Sequence, residues 1–240
     1  MRLNKYLAKN LGLSRRQADK LLQANKVLVN EEFAKIGAQV SIRDKVKYQD
    51  IRREWIELVP NTPRTALYYK PIFTLVSTLS QDRKETIYTR LPAHYKTYKP
   101  AGRLDYMSEG LLVLSQDGDL IQQLTHPRNG AVKKYLVGIA TPLEYSHIDK
   151  ICKGVKIDDY QLRPVEITKA SSPVLNSFSY LKLHPKHFWY VFTLHEGRNN
   201  QIRKMCAYFQ YRVVRLIRIE HGQYRLSHEL KQKKVIDLPE

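Results

Sequence analysis

The chain is 240 residues long, with 42% hydrophobic and 27% charged residues, a balance that argues against long disorder and leaves room for one large domain and one small one. No apolar run approaches the roughly 18 residues of a membrane helix, which excludes a spanning helix. Met1 to Leu7 carries no apolar stretch ahead of a cleavage site, so no secretory leader is expected. Lys and Arg number 41 against 23 Asp and Glu, a formal net charge of +18, and this excess implies a polyanionic partner. The basic residues are spread through both halves and interleaved with tyrosines, without a basic amphipathic anchor, so nucleic acid is favoured over an anionic membrane surface.

In chain order, Leu3, Tyr6, Leu7 and Leu11 fall at helical spacing and Gly12 stops that helix. Ser14 is an N-cap for a second helix from Arg15 to Leu22, with Ala18, Leu21 and Leu22 as its apolar stripe. Val27–Val29 reads as a strand, Asn30 to Glu32 as a turn, and Val40 to Tyr48 as a loosely alternating strand. These pieces make a compact unit over residues 1–59, and Pro60 to Pro63 reads as a linker to a second unit over 60–240. There, strands are expected at Ala66–Tyr69, Gly110–Leu114, Lys134–Ala140, Trp189–Leu194 and Tyr211–Ile219, and helices at Asp119–Leu124 and Asn199–Phe209. The irregular mixing of strands and helices predicts an α+β fold with a mostly antiparallel sheet rather than a doubly wound one. Cys152 and Cys206 lack CxxC spacing, form no metal set, and fit a reducing cytoplasm.

Three segments could carry chemistry. In Ala101-Gly102-Arg103-Leu104-Asp105 an aspartate sits in a loop ahead of the apolar run Gly110–Leu114, where a rigid strand could hold a catalytic group; a capping or salt-bridged aspartate is the plainer reading. Tyr135 follows Lys133 and Lys134 on a strand, where a core tyrosine is the plainer reading. Glu196 to Met205 runs from a glycine through a polar turn into an amphipathic helix whose basic residues could equally be a solvated face.

Together and in this order, the Gly102-to-Asp105 motif with Glu109-Gly110-Leu111-Leu112, the Tyr135 strand and the Gln201-Ile202-Arg203 helix resemble the pseudouridine synthase family. The resemblance is to the branch that modifies ribosomal RNA and carries an N-terminal αL-type RNA-binding module, which residues 1–59 look like. It implies that Asp105 is the catalytic aspartate, that Tyr135 packs against the target uracil, that Arg203 pairs with the aspartate, and that Arg103 can fill the stack left by a flipped base. Lys70-Pro71 matches the start of an upstream motif. Two positions depart from the family pattern: Phe73 stands where glycine is usual and Asn200 where arginine is usual.

The expected reaction isomerises uridine to pseudouridine in ribosomal RNA, the large subunit slightly favoured. It gains and loses no atom, so it implies no cofactor and no metal. The target base is flipped out of its stack, and Asp105 attacks or assists base departure. Arg15, Arg16 and Lys20 would hold RNA phosphates. The protein is expected to act as a monomer. The alternative, a non-catalytic RNA-binding assembly factor, explains the charge but not an aspartate amid basic residues. A nuclease would want a metal cluster or paired histidines, and the eight histidines are scattered.

Overall fold

A computed structural model describes residues 1–41, 43–59 and 64–239. The linker expected at Pro60 to Pro63 lies outside the described residues. The chain forms two compact units, one built on Met1–Arg64 and one on Thr65–Ser115 with Asp119–Pro239.

The first unit opens with α1 (Leu3–Leu11), which ends where Gly12 turns left-handed at φ +67°. Helix α2 (Arg15–Gln23) begins at a reciprocal cap: Gln17 N–H donates to Ser14 Oγ at 3.2 Å, and Ser14 N–H donates to Gln17 Oε1 at 2.8 Å. Strands β1 (Val27–Val29), β2 (Glu32–Phe33), β3 (Val46–Gln49) and β4 (Trp55–Glu57) form an antiparallel sheet in the order β2-β1-β3-β4. Leu3, Leu7, Ala18, Leu22, Val27, Val40 and Val46 make its core. The strand expected over Val40 to Tyr48 is shorter. Ahead of β3, Asp44 Oδ2 accepts from Ser41 N–H at 2.6 Å, and Asn30 donates to Asp44 Oδ1 at 2.8 Å.

The second unit runs β5 (Thr65–Lys70), α3 (Ile87–Arg90), β6 (Lys99–Pro100), β7 (Glu109–Ser115), α4 (Gly118–Thr125) and β8 (Lys133–Ile139). It continues through α5 (Tyr145–Cys152), β9 (Lys156–Ile157), β10 (Tyr160–Gln161), β11 (Glu166–Lys169), α6 (Ser172–Ser177), β12 (Phe188–Leu194) and α7 (Gln201–Tyr208). It closes with β13 (Val213–His221), β14 (Tyr224–Arg225), α8 (His228–Lys233) and β15 (Val235–Asp237). The main sheet has the order β11-β12-β8-β13-β7-β5-β15 and is antiparallel except where β13 runs parallel to β7. The mixed, mostly antiparallel α+β architecture is the one the sequence predicts.

Alternation along β8 sorts the core onto two faces. Val137 and Ile139 join Phe192, Ile202, Met205 and Leu216 on one face, and Leu136 joins Leu111, Trp189 and Ile217 on the other. Tyr135 shares the face of Val137 and packs against both the cluster under α7 and a second cluster containing Tyr68, Leu104 and Leu112. The seam between those two clusters is where the candidate site opens. Cys206 lies buried in α7, where burial pushes its thiol up to about 12, an inert core thiol.

Candidate active site

The loop carrying Asp105 is fixed from its backbone outward. Gly102 takes φ +78°, a conformation costly for any residue with a Cβ. Ser108 N–H donates to the Asp105 carbonyl at 3.0 Å, closing a turn over 105–108. Beneath it, the fully buried Lys70 at the end of β5 donates from Nζ to the carbonyls of Pro71 (3.0 Å), Asp105 (3.1 Å) and Ser108 (2.7 Å). Three ammonium protons meet three carbonyls. Burial pushes Lys70 down to about 8, with Asp105 and Glu109 opposing that shift.

Phe73 packs on the same loop. Its N–H donates to the Tyr106 carbonyl at 2.7 Å, and its ring meets that of Tyr106 edge-on at 5.6 Å. Phe73 has φ +59° and Asn200 φ +52°. Phe73 therefore holds a left-handed backbone, which a residue with a Cβ adopts at a cost of about 1–2 kcal/mol. Asn200 sits in the same conformation at lower cost, because a short polar side chain tolerates it.

Arg203, from the first turn of α7, reaches this loop. Its Nη2 donates to the Met107 carbonyl at 2.9 Å and its Nη1 to the Val213 carbonyl at 3.0 Å. No direct ion pair joins Arg203 to Asp105 among the described residues. In place of the pairing implied by the sequence resemblance, both terminal nitrogens contact carbonyls, one on the loop and one on β13, while Nε is buried without a hydrogen-bond partner. The charges still feel each other: burial lowers the Arg203 pKa and Asp105 opposes that shift.

Asp105, Tyr135, Arg203 and Arg103 all line a single cavity of about 660 Å³. Asp105 and Tyr135 are half-buried there, and Arg103 is exposed. Asp105 is the only carboxylate among the lining residues, against five cations: Arg103, Lys133, Arg198, Arg203 and Arg218. Lys133, Arg198 and Arg218 were not singled out from the sequence. The signal for Arg218 was there: a lone charge in the apolar run Leu216-Ile217-Arg218-Ile219 of a central strand. Lys133 is buried, with Nζ donating to the Ala131 carbonyl at 3.2 Å, and burial followed by the neighbouring Arg218 charge pushes it down to about 8. The buried Glu196 braces the rim, accepting from Arg163 N–H at 3.0 Å and from Gln201 Nε2 at 2.8 Å, while the Arg198 guanidinium lies over the Tyr160 ring.

In the first unit, Arg15, Arg16 and Lys20 are all exposed on α2, with Arg16 and Lys20 one turn apart on one face. They do not belong to the cavity.

A nucleotide-sized, strongly basic cavity lined by one carboxylate and two tyrosines, Tyr106 and Tyr135, is the site of an enzyme acting on an anionic substrate. Residues 64–208 match the family model described as RNA pseudouridylate synthase, and residues 1–46 match the S4 domain. The chain therefore belongs to the RNA pseudouridylate synthase family, whose members are isomerases. It is 31% identical to the dual-specificity RNA pseudouridine synthase RluF of Salmonella typhi, over 99% of this chain and 78% of that protein. It is 30% identical to an uncharacterized RNA pseudouridine synthase of Helicobacter pylori (95% and 86%), and 28% identical to ribosomal large subunit pseudouridine synthase B of Yersinia pestis (95% and 70%). A crystal structure of a pseudouridylate synthase superposes with a TM-score of 0.64 at 26% identity, covering 100% of this chain and 96% of that one.

Proposed function

We propose that this enzyme isomerises a uridine of ribosomal RNA, in the large subunit, with Asp105 as its catalytic carboxylate. The observation that carries the reading is that Asp105 is, among the described residues, the only acid lining a cavity that also presents five cations and Tyr135. A cavity of about 660 Å³ lies within the roughly 300–1,000 Å³ of small-ligand sites, so it takes one nucleotide and not a duplex. The target base therefore leaves its stack. Tyr135 offers it a flat face and a hydroxyl for proton handling at C5, while Asp105 attacks the sugar or assists departure of the base. The surrounding positive charge orients the RNA backbone over the carboxylate. Arg103, exposed at the cavity, occupies the stack that the base leaves. Residues 1–59 act as the RNA-binding module, through Arg15, Arg16 and Lys20, and 60–240 as the catalytic domain, in a monomer of the reducing cytoplasm. The large-subunit assignment draws on the name of the Yersinia pestis relative and on the segments His126-Pro127-Arg128 and Glu196-Gly197-Arg198-Asn199.

The test is to map pseudouridine in ribosomal RNA from cells with and without the gene, complemented by wild type or Asp105→Asn. One large-subunit position should lose its modification without the gene and regain it only with wild type. An unchanged pattern in both subunits refutes the substrate, and full complementation by Asp105→Asn refutes the carboxylate.

A further inference from the structure

We infer that Arg218 is a further catalytic residue: its guanidinium donates to a carbonyl oxygen of the target uracil and holds the negative charge the base acquires as it leaves the sugar. The inference rests on the isomerase reading of this cavity and assigns a role to its innermost cation.

Arg218 sits in the middle of β13, directly opposite Tyr135 on β8. Residues opposite each other in an antiparallel pair share a face, so the two side chains leave the sheet on the same side, and both line the cavity. Backbone geometry brings β13 unusually close to β7 at this point. Gly110 pairs with Arg218 at φ +108°, and a Cβ there would fall 2.4 Å from the Arg218 carbonyl oxygen. A register shift between Arg218 and Glu220 interrupts the ladder just beyond, a device that re-aims side chains near sites.

The guanidinium itself is held but unsatisfied. Arg218 is 1% exposed, its Nε donates to the Leu111 carbonyl at 2.7 Å, and its Nη2 is buried with no hydrogen-bond partner. No carboxylate pairs with it among the described residues. Lys133, beside it in the cavity wall, likewise has no ion-pair partner there. A buried guanidinium with an unmet donor is a standing penalty, and a methionine would fill the same strand position without it. Donor and charge are met when an anionic or carbonyl-bearing group enters.

Burial decides which group that is. The exposed Arg198 faces solvent and suits a hydrated phosphate, and the exposed Arg103 lies at the surface of the cavity. A guanidinium this deep reaches only the part of a flipped nucleotide that goes furthest in, which is the planar base, with O2 and O4 as acceptors. When the C1′–N1 bond breaks, its electron pair stays on the base, and the charge spreads over N1, O2 and O4. After the base rotates, an electron pair at C5 forms the C1′–C5 bond, the C5 proton leaves, and N1 takes one up. Arg218 transfers no proton in this sequence. It is a fixed positive donor aimed at charge that develops in the transition state.

The test uses single-turnover kinetics with the full-length protein and an RNA carrying the target uridine. Wild-type turnover establishes that the isomerase reading holds; without it, that reading fails before Arg218 is tested. Arg218→Lys and Arg218→Met, shown by thermal melting to be folded, should slow the reaction about 10²-fold or more at saturating enzyme, with RNA affinity within a few fold. Free guanidinium should restore part of the Arg218→Met rate. A rate unchanged at saturation, with weakened and less salt-dependent binding, overturns the inference in favour of a phosphate contact. A second arm needs no variant. RNA with 2-thiouridine or 4-thiouridine at the target offers a poorer acceptor on a better leaving group. One of the two should react at least tenfold more slowly with wild type, and equal rates for both overturn the inference even where the variants fail to fold.

Discussion

Lys70→Met separates positioning from stability. The side chains are similar in length, so the change removes the three donors with little loss of packing. The Asp105 carbonyl keeps its bond from Ser108 N–H, so the carbonyls losing a partner are those of Pro71 and Ser108. At about 1–3 kcal/mol each, that is a loss of roughly 2–6 kcal/mol. Against it stands the burial of the ammonium itself. A fall from 10.5 to about 8 means that the fold disfavours the charged form by about 3.4 kcal/mol, at roughly 1.36 kcal/mol per unit. The two largely offset, so the urea midpoint should move by the equivalent of no more than about 3 kcal/mol. The rate has no such compensation. Without the three-pronged tie, the 105–108 turn is free to shift, and a displacement of about 1 Å at a reacting group costs on the order of 10²-fold. The assay is single-turnover pseudouridine formation at saturating enzyme beside urea denaturation of the same preparation. A folded variant with wild-type turnover refutes the positioning argument, and a stability loss beyond about 5 kcal/mol refutes the offset.

Three further expectations follow from named residues. Replacing Arg16 and Lys20 together by Ala should lower the slope of log K against log salt by roughly 1.4–1.8, at about 0.7–0.9 per phosphate contact, with single-turnover rate intact at saturation; an unchanged slope removes that face of α2 from the RNA interface. His221 is held down to about 3 by burial and then by the Arg218 charge, so its unfolded form takes up a proton near 6.5 while the fold refuses it. Its contribution to stability is complete above 6.5 and is lost as pH falls toward 3, up to about 1.4 kcal/mol per unit, so His221→Asn should flatten the acid limb of the urea midpoint, and parallel limbs would contradict this. Asp105→Asn and Arg203→Ala should be strongly non-additive, the double variant turning over little more slowly than either single one, whereas full recovery of Arg203→Ala at saturating RNA would assign that arginine to binding alone.

The parts of the fold that read easily from the sequence are those whose periodicity reflects burial on one side. Helices α1 and α2 carry clean 3.6-residue stripes, and Ser14 marks the start of α2 as its N-cap. The long central strands β7, β8, β12 and β13 appear as apolar runs. Strand β4 leaves no such signal, because Trp55, Ile56 and Glu57 are all exposed and show no alternation. Strand β11 and helix α6 bury no residue of their own, so neither leaves a burial signature. In the site, Asp105, Tyr135 and Arg203 were found through motif order, and the cavity that unites them is a product of topology. Lys70 could be matched to a motif but its burial could not be foreseen, since a lysine is ordinarily solvent-facing and this one is satisfied by carbonyls up to 38 residues away.

The contacts of Arg203 bear on how the loop of Asp105 can be held in place while its carboxylate stays open to react. A bidentate clamp on the Asp105 carboxylate would fix it in one orientation and occupy the lone pairs needed for chemistry. In this structure Arg203 grips the Met107 carbonyl two residues along the same loop, and the Val213 carbonyl at the start of β13. From there its charge acts through space while the carboxylate stays open to the cavity. Lys70 holds the same turn from the opposite end of the chain order, through the carbonyls of Asp105 and Ser108. The loop is thus tied by two cations through its backbone, one from β5 and one from α7, and neither tie consumes the side chain that the reaction uses. Coupling between Asp105 and Arg203 then has two components, loss of nearby charge and loss of loop placement. Arg203→Lys separates them: it keeps a cation near the carboxylate, but one ammonium cannot span the two carbonyls that a planar fork bridges. A rate for Arg203→Lys close to that of Arg203→Ala identifies placement as the larger component, and a rate close to wild type identifies charge.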